Sequence, residues 1–232
     1  MTSQEVFRRA ALCAAVGPVL FTLTWVILGL ISPGFTLFGT VFEPYSPMSH
    51  PISGLGLGPT ASFMNAAFVL MGLLLIIGVV GIFQGIGELS ARARWSCILL
   101  LALSGVGAVL DGIFTLESFL LHFVGFGLGC VTPIVSFLVT GLVLRQVPRW
   151  RRLGSWLLVA SPTTLMLLVL SFMTFDQADA MAGRGVAGLT ERALIVEIHL
   201  WFVALGWQAF RHATTRSVAA VARSSRQWLT AA

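Results

Sequence analysis

The sequence contains no lysine and few charged residues of any kind. Of its 232 residues, only 10% are charged and 57% are hydrophobic, whereas about a quarter of the residues of a soluble domain are charged. A chain this apolar cannot cover a water-facing surface, so its composition excludes a soluble domain and predicts that lipid is its solvent. The net charge of +5 does not indicate a nucleic-acid partner, because the arginines cluster at the ends of apolar runs.

The sequence also lacks the short motifs that identify common enzymes. It contains no glycine-rich phosphate loop, nucleophile elbow, His-Glu-x-x-His or Cys-x-x-Cys. The only cysteines are Cys13, Cys97 and Cys130, and all three lie inside apolar runs. No two of them have the spacing of a metal knuckle, so we expect free thiols.

Six apolar runs are long enough to cross a bilayer, because about 20 helical residues span its hydrocarbon core of roughly 30 Å. Only a helix satisfies its own backbone hydrogen bonds within lipid. We therefore predict an all-α polytopic transmembrane bundle of six helices, formed by residues 1–211 and followed by a basic cytoplasmic tail, residues 212–232. The predicted spans are residues 10–31, 62–86, 95–115, 119–144, 154–174 and 191–210.

The arginines predict the orientation of the bundle. If the six spans alternate in direction, all fourteen arginines except Arg184 and Arg192 lie on one side. Positively charged loops favour the cytoplasmic side of a membrane. The distribution therefore predicts a multi-pass protein of a bacterial plasma membrane, with both termini in the cytoplasm and membrane lipid as a partner.

Four ionisable residues lie inside the predicted spans, namely Asp111, His122, Glu197 and His199. Because a charged group at the centre of a membrane helix costs roughly 2.5–3.5 kcal/mol, such groups need a partner or a function. All four lie at a similar depth, about 6–12 Å below the outer surface at 1.5 Å per residue. We expect them around an outward-facing polar pocket between the second, third, fourth and sixth helices, capped by residues 32–61.

Helical periodicity assigns some of these residues to shared faces. Ser104 and Asp111 are almost two turns apart and lie on one face of the third helix. Glu197 and His199 differ by about 200° around the sixth helix, so both cannot face one cavity directly. Asp111 with His122, and Glu197 with a partner, could instead form buried pairs that hold the bundle together.

The candidate site residues follow from this pocket. The catalytic candidates are Asp111, His122 and Glu197, which could act as acids or bases. No cofactor and no metal site are predicted, although His50, His122, His199 and Asp111 have the side-chain chemistry to hold zinc. The predicted substrate-binding residues are Ser49, His50, Ser53, Asn65, Asp111, His122, Arg192, Glu197, His199 and Trp201.

Three segments together resemble a bacterial and archaeal membrane family, the domain of unknown function 998. They are His50-Pro51-Ile52-Ser53-Gly54-Leu55-Gly56 with the later Asn65, Gly112-Ile113-Phe114 ahead of His122, and Gly188-Leu189-Thr190-Glu191-Arg192. Thr115 departs from the pattern, which has proline at that place. The resemblance implies a six-span membrane protein and no particular reaction. It marks His50, Ser53, Leu55, Gly56, Asn65, His122, Gly188 and Arg192.

Three classes of function remain open on the sequence. The first is binding or transport of a lipid or small amphiphile, with Arg192 pairing an anion. The second is a membrane-embedded enzyme acting on a lipid or isoprenoid, either a hydrolase using Ser49, His122 and Asp111 or a cyclase using Asp111 or Glu197 as the proton donor. The third is a structural or accessory partner of other membrane proteins, which would associate through faces of small residues.

Overall fold

The structure, a computed structural model, describes residues 2–230, and the side chains of these residues except Gln177 and residues 212–230. The predicted basic tail, residues 212–232 with His212, therefore lies outside the described side chains. The elements of the described chain are α1 Ser3–Ile31, β1 Phe35–Leu37, β2 Thr40–Phe42, α2 Ala61–Gln84, α3 Ala91–Ile113, α4 Phe119–Phe126, α5 Thr132–Leu144, α6 Arg151–Thr174, α7 Gln177–Met181 and α8 Ala187–Thr230.

Six helical segments of the described chain have the length and apolar character needed to cross a membrane. They confirm the all-α, six-span fold, and the chain is a multi-pass membrane protein. The segments are Ser3–Ile31, Gly58–Gln84, Ala91–Ile113, Leu116–Leu144, Pro148–Thr174 and Ala187–Arg211.

The outer surface of the bundle is apolar. Leu30 and Met173 each expose 79% of their surface, and Leu120 exposes 72%. Large side chains this exposed would be costly in water at about 25 cal/mol per Å² of apolar surface, but they cost nothing against lipid tails. The polar side chains of the spans are turned inward, where Ser136, Thr140 and others are buried.

Helices that follow one another in the chain are also neighbours in space. α1 packs on α2, α2 on α3, and α3 on α4 and α5; α5 packs on α6, α6 on α8, and α8 returns to α1. The spans therefore form a closed ring around an interior. Small residues allow the closest approach: a Cβ atom on Gly78 of α2 would lie 2.2 Å from the backbone nitrogen of Ala14 in α1.

The fourth span is interrupted between α4 and α5. Residues Gly127–Val131 form a π-helical turn directly before Pro133, which has no backbone N–H to donate. The wider turn lets the N–H of Thr132 reach the carbonyl of Gly127. The hydroxyl of Thr132 also donates to the carbonyl of Leu128 at 2.6 Å. Such turns are frequent at functional sites in membrane and soluble helices.

The connection between α1 and α2 covers one end of the bundle, which we call the capped end. It contains the β1–β2 hairpin and two 3₁₀ turns, Ile52–Gly56 and Gly58–Thr60. Phe35 and Phe42 stack on each other with ring centroids 4.7 Å apart, and His50 meets both rings edge-on at 5.6 Å. The three cysteines are free, as the sequence predicts.

Candidate functional site

A cavity of about 60 Å³ lies inside the ring near the capped end. It is bounded by α2, α3, α4 and α8, as expected, and also by Phe21 of α1 and by the first 3₁₀ turn of the cap. Most of its wall is apolar. The acids and histidines that line it are Asp111, His122, Glu191 and His199. We call this space the deep cavity.

Asp111 and His122 meet across the turn that joins α3 to α4. The Nδ1–H of His122 donates to the carbonyl of Phe114 at 2.8 Å, and the same nitrogen lies 3.5 Å from Oδ1 of Asp111. The carboxyl of Asp111 has room at this position because Gly125 has no side chain: a Cβ atom there would lie 2.2 Å from Oδ1 of Asp111. With Nδ1 bearing the proton, Nε2 of His122 is an acceptor, and no described residue is hydrogen-bonded to it.

Two buried oxygens of α3 have no hydrogen-bond partner among the described residues. They are Oδ1 of Asp111 and Oγ of Ser104, and these residues are 9% and 4% exposed. The 3.5 Å contact with His122 is too long to satisfy the carboxyl, because Nδ1–H points to Phe114. Both residues line the deep cavity, so polar groups without partners face its interior.

His199 forms the opposite wall of the deep cavity. Its Nδ1 lies 3.5 Å from the hydroxyl of Thr22, and its ring meets Phe21 edge-on at 5.6 Å. His199 also borders a groove of about 180 Å³ between α1 and α8, lined by Pro18, Val196 and other apolar residues. His199 therefore lines both the deep cavity and that groove.

A larger apolar space adjoins the deep cavity between α4, α6, α8 and the cap. It measures about 290 Å³, and we call it the vestibule. Its walls are mainly phenylalanine rings, namely Phe119, Phe123, Phe126, Phe172 and Phe175. Ser53, His122, Phe126 and Glu191 line both spaces. The two spaces therefore meet at His122 and Glu191.

Glu191 is the site residue that the sequence-based reasoning missed. It lies in the first turns of α8, and the backbone N–H of Ile52 donates to its carboxyl oxygens at 3.3 and 3.4 Å. The first position of a membrane span commonly lies near the water interface, and Glu191 is the first residue of the sixth predicted span. The loop that folds over this end instead encloses it, which no local pattern in α8 indicates.

Glu197 lies outside both spaces, contrary to the expectation that it shares the pocket with Asp111 and His122. Its carboxylate accepts hydrogen bonds from Thr164 of α6 at 2.8 Å and from the indole of Trp201 at 2.6 Å. Both oxygens are therefore satisfied within the α6–α8 contact. The structure places Glu197 and Trp201 in a structural pair, whereas His199, about half a turn away, faces the deep cavity.

The terminal nitrogens of Arg192 bind the cap and the first turn of α8. Its Nη1 donates to the carbonyls of Pro47, His50 and Gly188 at 2.8–2.9 Å, and its Nη2 donates to the hydroxyl of Tyr45. The guanidinium also lies 5.3 Å from the ring centroid of Trp25. The expected role of Arg192 as an anion-pairing group is therefore not supported, because its two terminal nitrogens are bonded to the protein.

The only tyrosine of the chain, Tyr45, completes this arrangement. Its hydroxyl donates to the carbonyl of Pro51 at 3.0 Å while accepting from Arg192. Burial raises the pKa of Tyr45 to about 12, so the phenol stays protonated and keeps donating to Pro51. Tyr45 and Arg192 together anchor the cap to α8.

His50 is also structural. Its Nδ1 accepts from the backbone N–H of Ser46 at 3.0 Å, and its Nε2 lies 3.0 Å from the carbonyl of Ala180 in α7, to which it donates. Burial lowers the pKa of His50, which agrees with a neutral ring whose two nitrogens are both used. It is not available to a ligand.

Of the remaining predicted binding residues, one holds the cap in place and two line the deep cavity or the vestibule. Nδ2 of Asn65 donates to the carbonyl of Gly56 at 3.0 Å, which joins α2 to the cap. Ser53 lines both spaces, and Ser49 lines the vestibule. The hydroxyl of Ser49 is buried and has no hydrogen-bond partner among the described residues.

The candidate zinc ligands do not converge. Within the described part of the chain, no three His, Cys, Asp or Glu side chains are grouped so that they could hold a metal ion. His50 in particular lies in the cap, with its nitrogens bonded to Ser46 and Ala180.

Two of the three family-like segments meet at this site. The N–H of Leu189 donates to the carbonyl of Met48 at 3.0 Å, and Arg192 binds the carbonyl of His50. The model of a protein family described as "Protein of unknown function (DUF998)" matches residues 15–208. The chain belongs to this family. No curated protein and no solved structure matches the chain.

The DUF998 segments have distinct positions in this fold. The segment beginning at His50 and the one ending at Arg192 hold the cap on α8, whereas the segment ending at Phe114 supplies the carbonyl that orients His122. Thr115 stands where the resemblance implies proline, and the turn nevertheless closes, because the N–H of Ser118 donates to its carbonyl at 2.8 Å.

Proposed function

We propose that this protein binds a small amphiphile, with the polar group in the deep cavity and the apolar part in the vestibule. The observation that carries this proposal is the junction between the two spaces. His122 and Glu191 line both of them, so one molecule that occupies both must be polar at one end and apolar at the other.

The walls favour such a ligand over a wholly polar or wholly apolar one. An apolar ligand would leave the oxygens of Ser104 and Asp111 without partners, which costs about 1–3 kcal/mol for each buried group. A polar solute would gain little from the five phenylalanine rings of the vestibule. Ligand sites generally combine apolar walls with a few polar groups that fix orientation.

The vestibule also suggests how such a ligand enters. It lies between α4 and α6, where Phe119, Phe172 and Phe175 are 53–65% exposed toward the surface that faces lipid. Entry from the bilayer would spare the apolar part of the ligand any contact with water. A lipid or lipid fragment of the surrounding membrane is therefore the proposed source.

The proposed location is a bacterial plasma membrane, with the capped end outside. The arginine distribution supports this orientation, since residues near both ends of the chain lie together at the opposite end of the bundle. There the guanidinium of Arg8 lies 5.0 Å from the ring of Phe210, and Gln208 donates to the carbonyl of Arg149.

A second candidate function, hydrolysis of an ester- or amide-linked lipid, rests on Ser49. Its buried hydroxyl has no partner and lines the vestibule together with His122. The carbonyl of Phe114 orients the imidazole of His122 beside Asp111, so that Nε2 could act as a general base. Turnover of an acyl substrate that is lost in Ser49→Ala, with ligand binding retained, would favour this candidate.

Native mass spectrometry of the full chain, purified from its membrane in mild detergent, tests the binding proposal. Wild-type protein should carry an amphiphile, and Glu191→Gln and His122→Gln should lose most of it. Glu197→Gln is the matched control, because the same substitution two turns along α8 lies outside both spaces. Equal occupancy in all four proteins, or an empty wild-type protein, would contradict the proposal.

A further inference from the structure

The charge of the site specifies the polar group of the ligand. The described residues that line the deep cavity and the vestibule include two carboxyl groups, Asp111 and Glu191, and no arginine. The chain contains no lysine. No cationic side chain of the lining therefore compensates the two acids.

The nearest candidate cation on the same helix is already used. Arg192 follows Glu191 directly, but its Nη1 and Nη2 are bonded to three backbone carbonyls and to Tyr45. Its guanidinium lies over the ring of Trp25, at the cap. It therefore offers no free terminal nitrogen to an anionic ligand. Its Nε has no hydrogen-bond partner among the described residues, but Arg192 lines neither space.

Independent of the acids, a buried hydroxyl faces the same space without a partner. Ser104 is 4% exposed, lies almost two turns before Asp111 on α3, and has no hydrogen-bond partner for its Oγ among the described residues. Oδ1 of Asp111 likewise lacks one. The carboxyl oxygen requires a donor from the ligand, and the hydroxyl of Ser104, which can donate or accept, can accept from the same donor.

The aromatic walls suit a positively charged donor. Phe126 lines both spaces, and Phe21, Phe68 and Phe202 line the deep cavity. The face of an aromatic ring attracts a cation, and this attraction strengthens when the cation is removed from water. A phosphate or carboxylate would meet only acids, rings and neutral side chains there.

We propose that the polar group of the amphiphile is a protonated amine that donates hydrogen bonds to Asp111 and Glu191. This inference rests on the proposed function, whose site it shares. The ammonium lies between the two carboxyl groups and donates to Oδ1 of Asp111 and to a carboxyl oxygen of Glu191. The alkyl chain leaves past His122 and Phe126 into the vestibule. The two acids then gain a counter-charge inside the cavity, where no described lining residue is an arginine.

Three probes of equal chain length separate charge from amphiphilicity: octylamine, octanol and octyl phosphate. Each is titrated at pH 7 onto the full chain in phosphatidylcholine nanodiscs, and the rise in melting temperature gives the affinity by linkage. Octylamine should bind at least about tenfold more tightly than the other two, since hydrogen bonds to charged groups are worth about 1.5–3 kcal/mol.

Substitutions of the two acids test which residues cause the preference for the amine. Asp111→Asn and Glu191→Gln should each remove most of the amine preference while leaving octanol binding within about twofold, and Glu197→Gln should retain it. Loss of the preference in Asp111→Asn alone, with Glu191→Gln unchanged, would overturn the two-carboxyl site. A change in melting temperature that is equal in the wild-type protein and in all variants measures the nonspecific effect of a probe on the bilayer.

The outcomes distinguish this inference from the proposed function. If octanol binds as tightly as octylamine, the site takes an amphiphile but not an amine, and the inference fails alone. If octyl phosphate binds most tightly, the inference again fails alone. If none of the three probes raises the melting temperature of the wild-type protein, the amphiphile site itself is contradicted.

Discussion

Nδ1 of His122 lies 3.5 Å from Oδ1 of Asp111, across the turn that joins α3 to α4. The proton on that nitrogen is directed to the carbonyl of Phe114, so the carboxyl is close to the imidazole without being satisfied by it. In an ion pair formed only to stabilise the bundle, we would expect the N–H of the imidazole to point at the carboxyl and to lie closer to it than 3.5 Å. The arrangement instead leaves acceptor capacity facing the deep cavity.

Replacing Asp111 with asparagine should therefore stabilise the protein. The substitution keeps the shape and removes an acid buried in hydrocarbon, so the free energy of unfolding should rise by about 1 kcal/mol. Thermal unfolding in detergent, followed by circular dichroism, measures this change. His122→Ala is the opposite case, because it strands the carbonyl of Phe114 and should cost about 1–3 kcal/mol. A large loss of stability in Asp111→Asn would indicate a structural ion pair.

Arg192→Lys should destabilise the capped end although it keeps the charge. A single ammonium cannot reach the three carbonyls and the hydroxyl that the guanidinium fork binds. We expect a loss of about 2–4 kcal/mol in the free energy of unfolding and faster proteolysis within residues 32–57. Arg184→Lys is the control, since Arg184 is an exposed partner of Asp179 and its replacement should change stability by less than about 0.5 kcal/mol.

Acidification should weaken the cap through His50. Burial lowers the pKa of His50 below its usual value of 6.5, so below that pH the unfolded chain binds a proton that the native chain does not. Stability is therefore present above about pH 6.5 and falls as the pH drops, by up to about 1.4 kcal/mol per pH unit until the native pKa is reached. A proton on Nδ1 would also oppose the N–H of Ser46.

The melting temperature between pH 7.5 and 5 measures this effect. The fall should be steeper in the wild-type protein than in His50→Gln, whose side chain does not titrate. Parallel curves for the two proteins would assign the pH dependence to other groups.

The orientation of the bundle predicts which end is accessible from outside the cell. Thr36→Cys places a thiol on the exposed hairpin of the cap, and Gln146→Cys places one on the loop between α5 and α6. In intact cells a membrane-impermeant maleimide should label Thr36→Cys and leave Gln146→Cys unlabelled until the cells are opened. The native cysteines lie within the spans and provide the background. The reverse labelling pattern would invert the proposed topology.

The sequence alone predicts the membrane fold well, and the reason is chemical. Lipid requires about 20 consecutive apolar residues in each span and internal hydrogen bonding of the backbone, so both number and type of the helices can be read locally. The same cost of burying charge identified Asp111, His122 and His199 as residues of the interior. These residues line one cavity, which lies between the second, third, fourth and sixth spans.

The errors concern residues whose role depends on contacts distant in sequence. Glu197 and Glu191 are both glutamates of α8, and their local surroundings do not reveal that Thr164 and Trp201 satisfy the first while a loop encloses the second. Arg192 resembles an anion-binding residue until the carbonyls of Pro47 and His50 are placed against it. These partners are about 30 to 145 residues away along the chain, except for Trp201.

The apolar runs thus determined by themselves that this is a six-span membrane protein with acids and histidines in its interior. Only the tertiary structure decided which of those groups are already paired. The physical reason is that hydrophobic transfer depends on each segment's own composition, whereas hydrogen-bond satisfaction depends on which other segment the folded chain brings within about 3 Å.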